Sequence, residues 1–246
     1  MTQSNLTQLN PPETGQVHNR RHPFTLLLVN LISLAVTWIT WLWLATRDLP
    51  PLTLLLIAVL GALIVVPLVF LGRVLLDRQP DPGHAEWITT GVHYLVGIFL
   101  GSAIIAAVRL GQASLSGELV IPWLPPWIGL VLMVLSGAIF LLVVFNLLLK
   151  GLGLPFALSL TRQVASDWLY AWTRNPMILS ALAFLVGLGL WLQSTLFIIW
   201  VLVVVSPAFL VFLRVYEERE LEIRFGQSYL EYKQRTPMLW PRKPKK

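Results

Sequence analysis

Apolar residues run along this chain in blocks longer than the helices of a soluble core. Phe24 to Ala45, Leu52 to Leu76, Trp87 to Val108 and Trp127 to Leu149 each offer about 20 mostly apolar positions. An α-helix needs about that many to cross a hydrocarbon layer of about 30 Å. A fifth block, Ile178 to Val215, is too long for one crossing, and its one polar break is Gln193-Ser194. A tight hairpin is therefore predicted, with short helices over Ile178 to Leu192 and Thr195 to Leu213. The pattern as a whole predicts an all-α polytopic membrane protein of six transmembrane helices. The last two form a C-terminal hairpin that continues into a cytoplasmic helix ending at Gly226, where glycine supplies the stop.

Composition and charge sharpen that picture. Hydrophobic residues make up 56% of the chain and charged residues 12%, which excludes an ordinary soluble domain or a nucleic-acid partner. Of the 18 Lys and Arg residues, only Arg47 and Arg109 fall on one side of the predicted topology. Positively charged loops stay in the cytoplasm, so both termini are expected there. Three parts follow: a disordered cytoplasmic tail over 1–23, a three-helix membrane region over 24–119, and a membrane core with its cytoplasmic tail over 120–246. The chain has no cysteine, which removes disulfides, thiolate metal sites and a cysteine nucleophile.

Several residues inside the helices carry local expectations. Pro67 should kink the second helix. Trp38, Trp41 and Trp43 read as interfacial anchors, and Gly97 with Gly101 as a close-packing pair. His93 could be an intramembrane proton carrier, since ionisable residues at depth are costly and often functional, but near the cytoplasmic end of its helix a hydrogen-bonded structural histidine is the preferred reading. Asn146 is expected to cap or bridge helices. Gly151-Leu152-Gly153-Leu154-Pro155 lacks the strand that a dinucleotide loop requires, so it reads as a helix end. The segment around Val164, Trp168, Leu169 and Trp172 suits the membrane interface and would form the lip of a site.

That site is suggested by the hairpin. It returns Glu217-Glu218-Arg219-Glu220-Leu221 to the surface from which Arg174-Asn175-Pro176-Met177 departs, although the two motifs lie about forty residues apart. On a helix turning about 100° per residue, Glu217 and Glu218 flank an apolar stripe of Leu221 and Phe225. Glu220 and Arg224, four apart, suit a solvated face, as does Glu222. A carboxylate here could hold an ammonium group or ribose hydroxyls, and an arginine could grip a carboxylate through two hydrogen bonds. Arg174, Glu217, Glu218 and Arg235 offer these roles without any metal. No histidine is evident beside them in sequence, which favours an anionic acceptor such as a carboxylate over an amine.

From about Pro122 to Pro241 the chain resembles the isoprenylcysteine carboxyl methyltransferases and their relatives among membrane phospholipid methyltransferases. The ordered pieces are Gly151 to Pro155 after a membrane helix, Tyr170 with Arg174-Asn175-Pro176-Met177, the hairpin, Glu217-Glu218 with Leu221, Phe225-Gly226 with Tyr229 and Tyr232, and Arg235 with Pro237 and Pro241. Relatives often carry Gly shortly before Tyr170, and Tyr after the Met; here the positions hold Trp168 and Ile178. The resemblance implies an enzyme that takes S-adenosylmethionine from the cytosol and methylates a lipid-borne or prenylated acceptor. It implies a cofactor held by Tyr170, Arg174, Asn175, Pro176, Met177, Glu217 and Glu218, with Arg174 and Arg235 as catalytic residues. Asn175, familiar among bacterial members, places the protein in a bacterial inner membrane. Membrane reductases that use NADPH on sterols or enones share the Tyr-x-x-Tyr and proline tail, and a non-enzymatic membrane protein is the third reading.

The charge partition makes a first prediction. Ser4→Cys and Lys245→Cys should escape an impermeant maleimide in intact cells and react after permeabilisation, whereas Asp48→Cys should react in both. Labelling of either terminus in intact cells would overturn the topology.

Overall fold

In a computed structural model, residues 23–114, 124–149 and 163–243 are described. Every regular element among them is helical. The order is α1 (Pro23–Thr46), α2 (Pro51–Leu63), α3 (Val65–Arg78), α4 (Pro82–Ser114), α5 (Pro126–Leu149), α6 (Leu169–Trp172) and α7 (Pro176–Trp191). One long rod follows, made of α8 (Thr195–Trp200), a π-helical stretch (Val201–Val205), α9 (Ser206–Val211), a second π-helical stretch (Phe212–Glu217) and α10 (Glu218–Phe225). Gly226, at φ +52°, separates the rod from α11 (Gln227–Arg235). Five spans are long and apolar enough to cross a membrane, and α7, at 16 residues, is a shorter apolar helix in the place of the sixth. The tail 1–22, the glycine segment Gly151 to Pro155 and Arg162 lie outside the described residues.

Pro67 acts through the carbonyl four residues before it. Having no N–H, its ring leaves Leu63 without a helical partner, and the second span divides at Ile64 into α2 and α3. The hairpin turns where the polar pair predicted it. Gln193 adopts φ +54°, and the Ser194 hydroxyl caps α8 by accepting from the Phe197 N–H at 3.3 Å. Gln193 Nε2 also donates to Leu190 O at 2.8 Å and to Leu124 O at 3.3 Å, tying the hairpin tip to the start of α5.

Between membrane helices, close packing replaces the hydrophobic effect, because lipid is as apolar as a side chain. The tightest approach is between α5 and α7. A Cβ on Gly187 would fall 2.9 Å from both Gly129 O and Met133 N, which are backbone atoms that cannot step aside. Elsewhere, Val65 and Val69 of α3, Val92 and Val96 of α4, and Val201, Val205 and Phe212 of the rod form one buried core. Tyr216 completes it by bonding the Thr89 hydroxyl at 3.0 Å.

Three local expectations need correction. Trp38 and Trp43 face outward, but Trp41 turns inward against Gly101, where added side-chain volume would meet the indole. Gly97 carries no helix contact, since a Cβ there would meet nothing within 4 Å. Asn146 Nδ2 is buried without a partner among the described residues, so no bridge is made through it. All three depend on how neighbouring helices are rotated, which spacing within one helix does not specify. His93, by contrast, is hydrogen-bonded as expected, with Nδ1 2.9 Å from Thr89 O.

The glycine contacts predict opposite outcomes. Gly187→Ala should destabilise the detergent-solubilised protein by about 1 to 3 kcal/mol through overpacking. Gly97→Ala should be neutral or stabilising by up to about 1 kcal/mol, because alanine favours a helix. Thermal unfolding of the two variants checks this.

Candidate active site

The rod and the turn before α7 meet at one end of the bundle. Thr173 is extended, the chain bends at Arg174, and Pro176 starts α7 at a position where its missing N–H costs nothing. The residues after α11 strap this turn down. Arg174 N donates to Pro237 O at 2.9 Å, the Thr173 hydroxyl to Met238 O and Leu239 O at 3.1 and 3.0 Å, and Arg242 N to Trp172 O at 3.0 Å. Asn175 Nδ2 donates to Met238 O at 3.0 Å, so its amide serves the strap although the residue still lines the site. Trp168 keeps φ at +52°, the left-handed region that favours glycine.

On the rod, the second π-helical stretch ends at Glu217. The extra residue per turn takes carbonyls out of helical register, and one of them, Val215 O, accepts from Arg73 Nη1 of α3 at 3.2 Å. Asp77 completes this clip, bonding Arg73 Nε at 2.6 Å and Arg219 Nε at 2.7 Å. The two glutamates then have different fates. Glu218 is engaged twice, with Arg174 Nη2 at 2.8 Å and Lys233 Nζ at 2.6 Å. Glu217 points its Oε2 into buried space with no partner among the described residues, and the Nε of Arg174 is likewise buried and unpartnered.

Arg174 and Glu217 line one pocket of about 110 Å³, with Tyr170, Glu218, Leu221 and Tyr229 around them. The stripe of Leu221 and Phe225 between two acids is thus assembled in one place. The Tyr229 hydroxyl accepts from Arg174 Nη1 at 3.3 Å, and the Tyr232 hydroxyl donates to Tyr170 O at 2.7 Å. Desolvation pushes the phenols of Tyr170, Tyr229 and Tyr232 above their usual pKa, so all three remain protonated donors. Desolvation works against the charged form of Lys233, but its hydrogen bonds to Glu218 and Glu222 prevail and hold its pKa above the ordinary value. The pocket opens into a larger cavity of about 360 Å³ that shares Tyr170, Arg174, Asn175 and Glu217 with it and runs between α4 and the α5–α7 pair. Met177 and His93 line that cavity.

Arg235 is not brought to the site. It sits exposed at the end of α11, its Nε on Glu231 O at 3.3 Å. Glu220 and Arg224 do not form a solvated pair; they form a buried one at 2.5 Å, with side chains 3% and 6% exposed. The wheel allows one dry face, whereas α10 packs against α3 and α4 as well as the pocket and so has two. Glu222 is also less solvated than expected, because Lys233 bonds it at 3.0 Å. Sequence reasoning missed His93, Tyr229 and Lys233 as neighbours of the site. The Tyr-x-x-Tyr spacing was a usable signal for Tyr229; His93 stood out as an ionisable residue within a span, but nothing in α4 placed it beside this site.

Residues 126–228 match the family of phospholipid methyltransferases. Comparison with curated proteins and with solved structures finds no match. The matched segment runs from the start of α5 into α11 and contains Arg174, Glu217, Glu218 and the hairpin, while α1 to α4 lie outside it.

The buried ion pair generates a prediction. Glu220→Gln should destabilise the protein by about 3 to 5 kcal/mol by removing the buried carboxylate that faces the Arg224 guanidinium, and joining it to Arg224→Gln should restore part of the loss. Glu231→Gln, on an exposed face, should stay within about 0.5 kcal/mol. Unfolding midpoints of the set measure this.

Proposed function

We propose that the protein transfers the methyl group of S-adenosylmethionine to the polar end of a membrane lipid or lipidated acceptor. The observation that carries this reading is the pair of buried, unpartnered atoms, Glu217 Oε2 and Arg174 Nε, lining one pocket at the mouth of an apolar cavity. A buried polar atom left unmade costs about 1 to 3 kcal/mol, so such a pair is accounted for by a ligand that fills both. The amino-acid end of S-adenosylmethionine fits, since it carries an ammonium for the glutamate and a carboxylate for the arginine. When bound, its sulfonium gives up a methyl to an oxygen or nitrogen nucleophile by in-line displacement, the C–S bonding pair remaining on sulfur.

The residues of the chain supply position and electrostatics, which suffice for such a displacement. Glu218 and Tyr229 hold the Arg174 guanidinium so that Nε faces the pocket. Tyr170 stands where pocket and cavity join. The cavity gives the acceptor an apolar path from the bilayer. Nδ1 of His93 is placed to donate to Thr89 O, which leaves Nε2 to accept a proton from an amine. The sequence argument for a carboxylate acceptor rested on the lack of a nearby histidine, so that preference loses its support. We place the pocket on the cytosolic side, following the charge partition.

Calorimetry with S-adenosylhomocysteine, and separately with NADPH, tests the reading. S-adenosylhomocysteine should bind the wild type. Glu217→Gln should weaken that binding by about 1 to 3 kcal/mol, roughly ten- to a hundredfold, while Glu231→Gln leaves it unchanged. Equal affinity in wild type and Glu217→Gln would overturn the placement of the donor, and binding of NADPH alone would replace it with the reductase reading.

A further inference from the structure

The larger cavity has two unlike ends. Arg174 and Glu217 stand at one, and Trp41, Gly101 and Ile104 line the other. Its wall on α4 is a single helical face, on which Thr89, His93, Gly97, Gly101 and Ile104 follow at intervals of three or four residues. From Thr89 to Ile104 that face is about 22 Å long at about 1.5 Å per residue.

Trp41 is the α1 residue that reaches the cavity, and it does so beside Gly101, at the end away from Arg174 and Glu217. Its indole lies on Gly101, where a side chain would have displaced it, and stacks edge-on with Trp38 at 5.8 Å. Its Nε1 is buried and has no partner among the described residues. Packing alone therefore holds the ring across the end of the slot. Nothing in the methyltransferase segment, residues 126–228, assigns this role, because both Trp41 and Gly101 lie before it.

We infer that Trp41, seated on Gly101, is a specificity-determining stop that sets the length of hydrocarbon chain an acceptor can insert. The inference rests on reading the cavity as the acceptor's path. An extended chain with bonds of about 1.5 Å advances about 1.25 Å per carbon, so the slot takes a chain of about 17 carbons. Removing the indole lengthens the slot. Adding a methyl at Gly101 pushes the indole inward and shortens it.

Native mass spectrometry of the full-length protein tests this with lysophosphatidylethanolamines whose saturated chains run from about 10 to about 22 carbons. Wild type should retain chains near the middle of the series best. Trp41→Ala should move the optimum longer by about four carbons, and Gly101→Ala should move it shorter by about two. Because the shifts have opposite signs, loss of folding cannot produce both. One length profile common to all three proteins, or no dependence on length, would overturn the inference. Binding of S-adenosylhomocysteine, measured in parallel, should match wild type in both variants. If wild type fails to bind it, the donor reading fails while the length profiles still judge the stop.

Discussion

The ion pair between Arg174 and Glu218, 2.8 Å long with side chains 10% and 15% exposed, is the interaction on which the site depends. It joins the turn before α7 to the end of the rod, two places that sequence separates and only the hairpin brings together. Taking two such charges largely out of water is costly, and the pair is sustained only where the remaining hydrogen-bonding positions are filled. Tyr229 and Lys233 fill most of them. From there the charges continue through Glu222, Arg219 and Asp77 to Arg73 on α3, so the turn is braced across the whole end of the bundle. Arg174 Nε and Glu217 Oε2 remain outside this bracing, buried and without a partner among the described residues.

The backbone around the pair departs from regular helix where the charges are presented. The second π-helical stretch ends at Glu217, and the carbonyl of Val215 that it releases is taken up by Arg73 instead of water. On the other side of the pocket, the strap after α11 satisfies backbone and hydroxyl groups of Thr173 to Asn175 that no helix serves. Both devices fix side chains within a low-dielectric site, where an error of position weakens an electrostatic contact more than it would in water.

The charged pocket and the far wall of the cavity come from different parts of the chain. The segment that matches the phospholipid methyltransferase family holds the paired motifs, whereas α1 and α4 supply one wall of the apolar cavity. A division of that kind lets the wall vary without disturbing the charged pocket, because lipid-facing helices are constrained chiefly by length, apolarity and packing.

The lengths and apolarity of the helices were legible in the chain, because a bilayer leaves the backbone no partners but its own and so makes span length a matter of counting. Gln193-Ser194 marked the hairpin, and topology alone then required Arg174 and Glu217-Glu218 to share a face. The helical wheel placed Leu221 and Phe225 between the two acids, since angles within one helix follow from residue spacing. What needed the tertiary structure was every question of rotation between helices: that Trp41 turns inward, that Glu220 and Arg224 are buried, and that His93 reaches the cavity while Arg235 does not reach the site. It also separated the two glutamates, occupying Glu218 with Arg174 and Lys233 and leaving Glu217 unpaired. Local sequence encodes what a helix is, but the face it shows its neighbours is decided by packing energies summed over residues far apart in the chain, and those sums exist only in the assembled bundle.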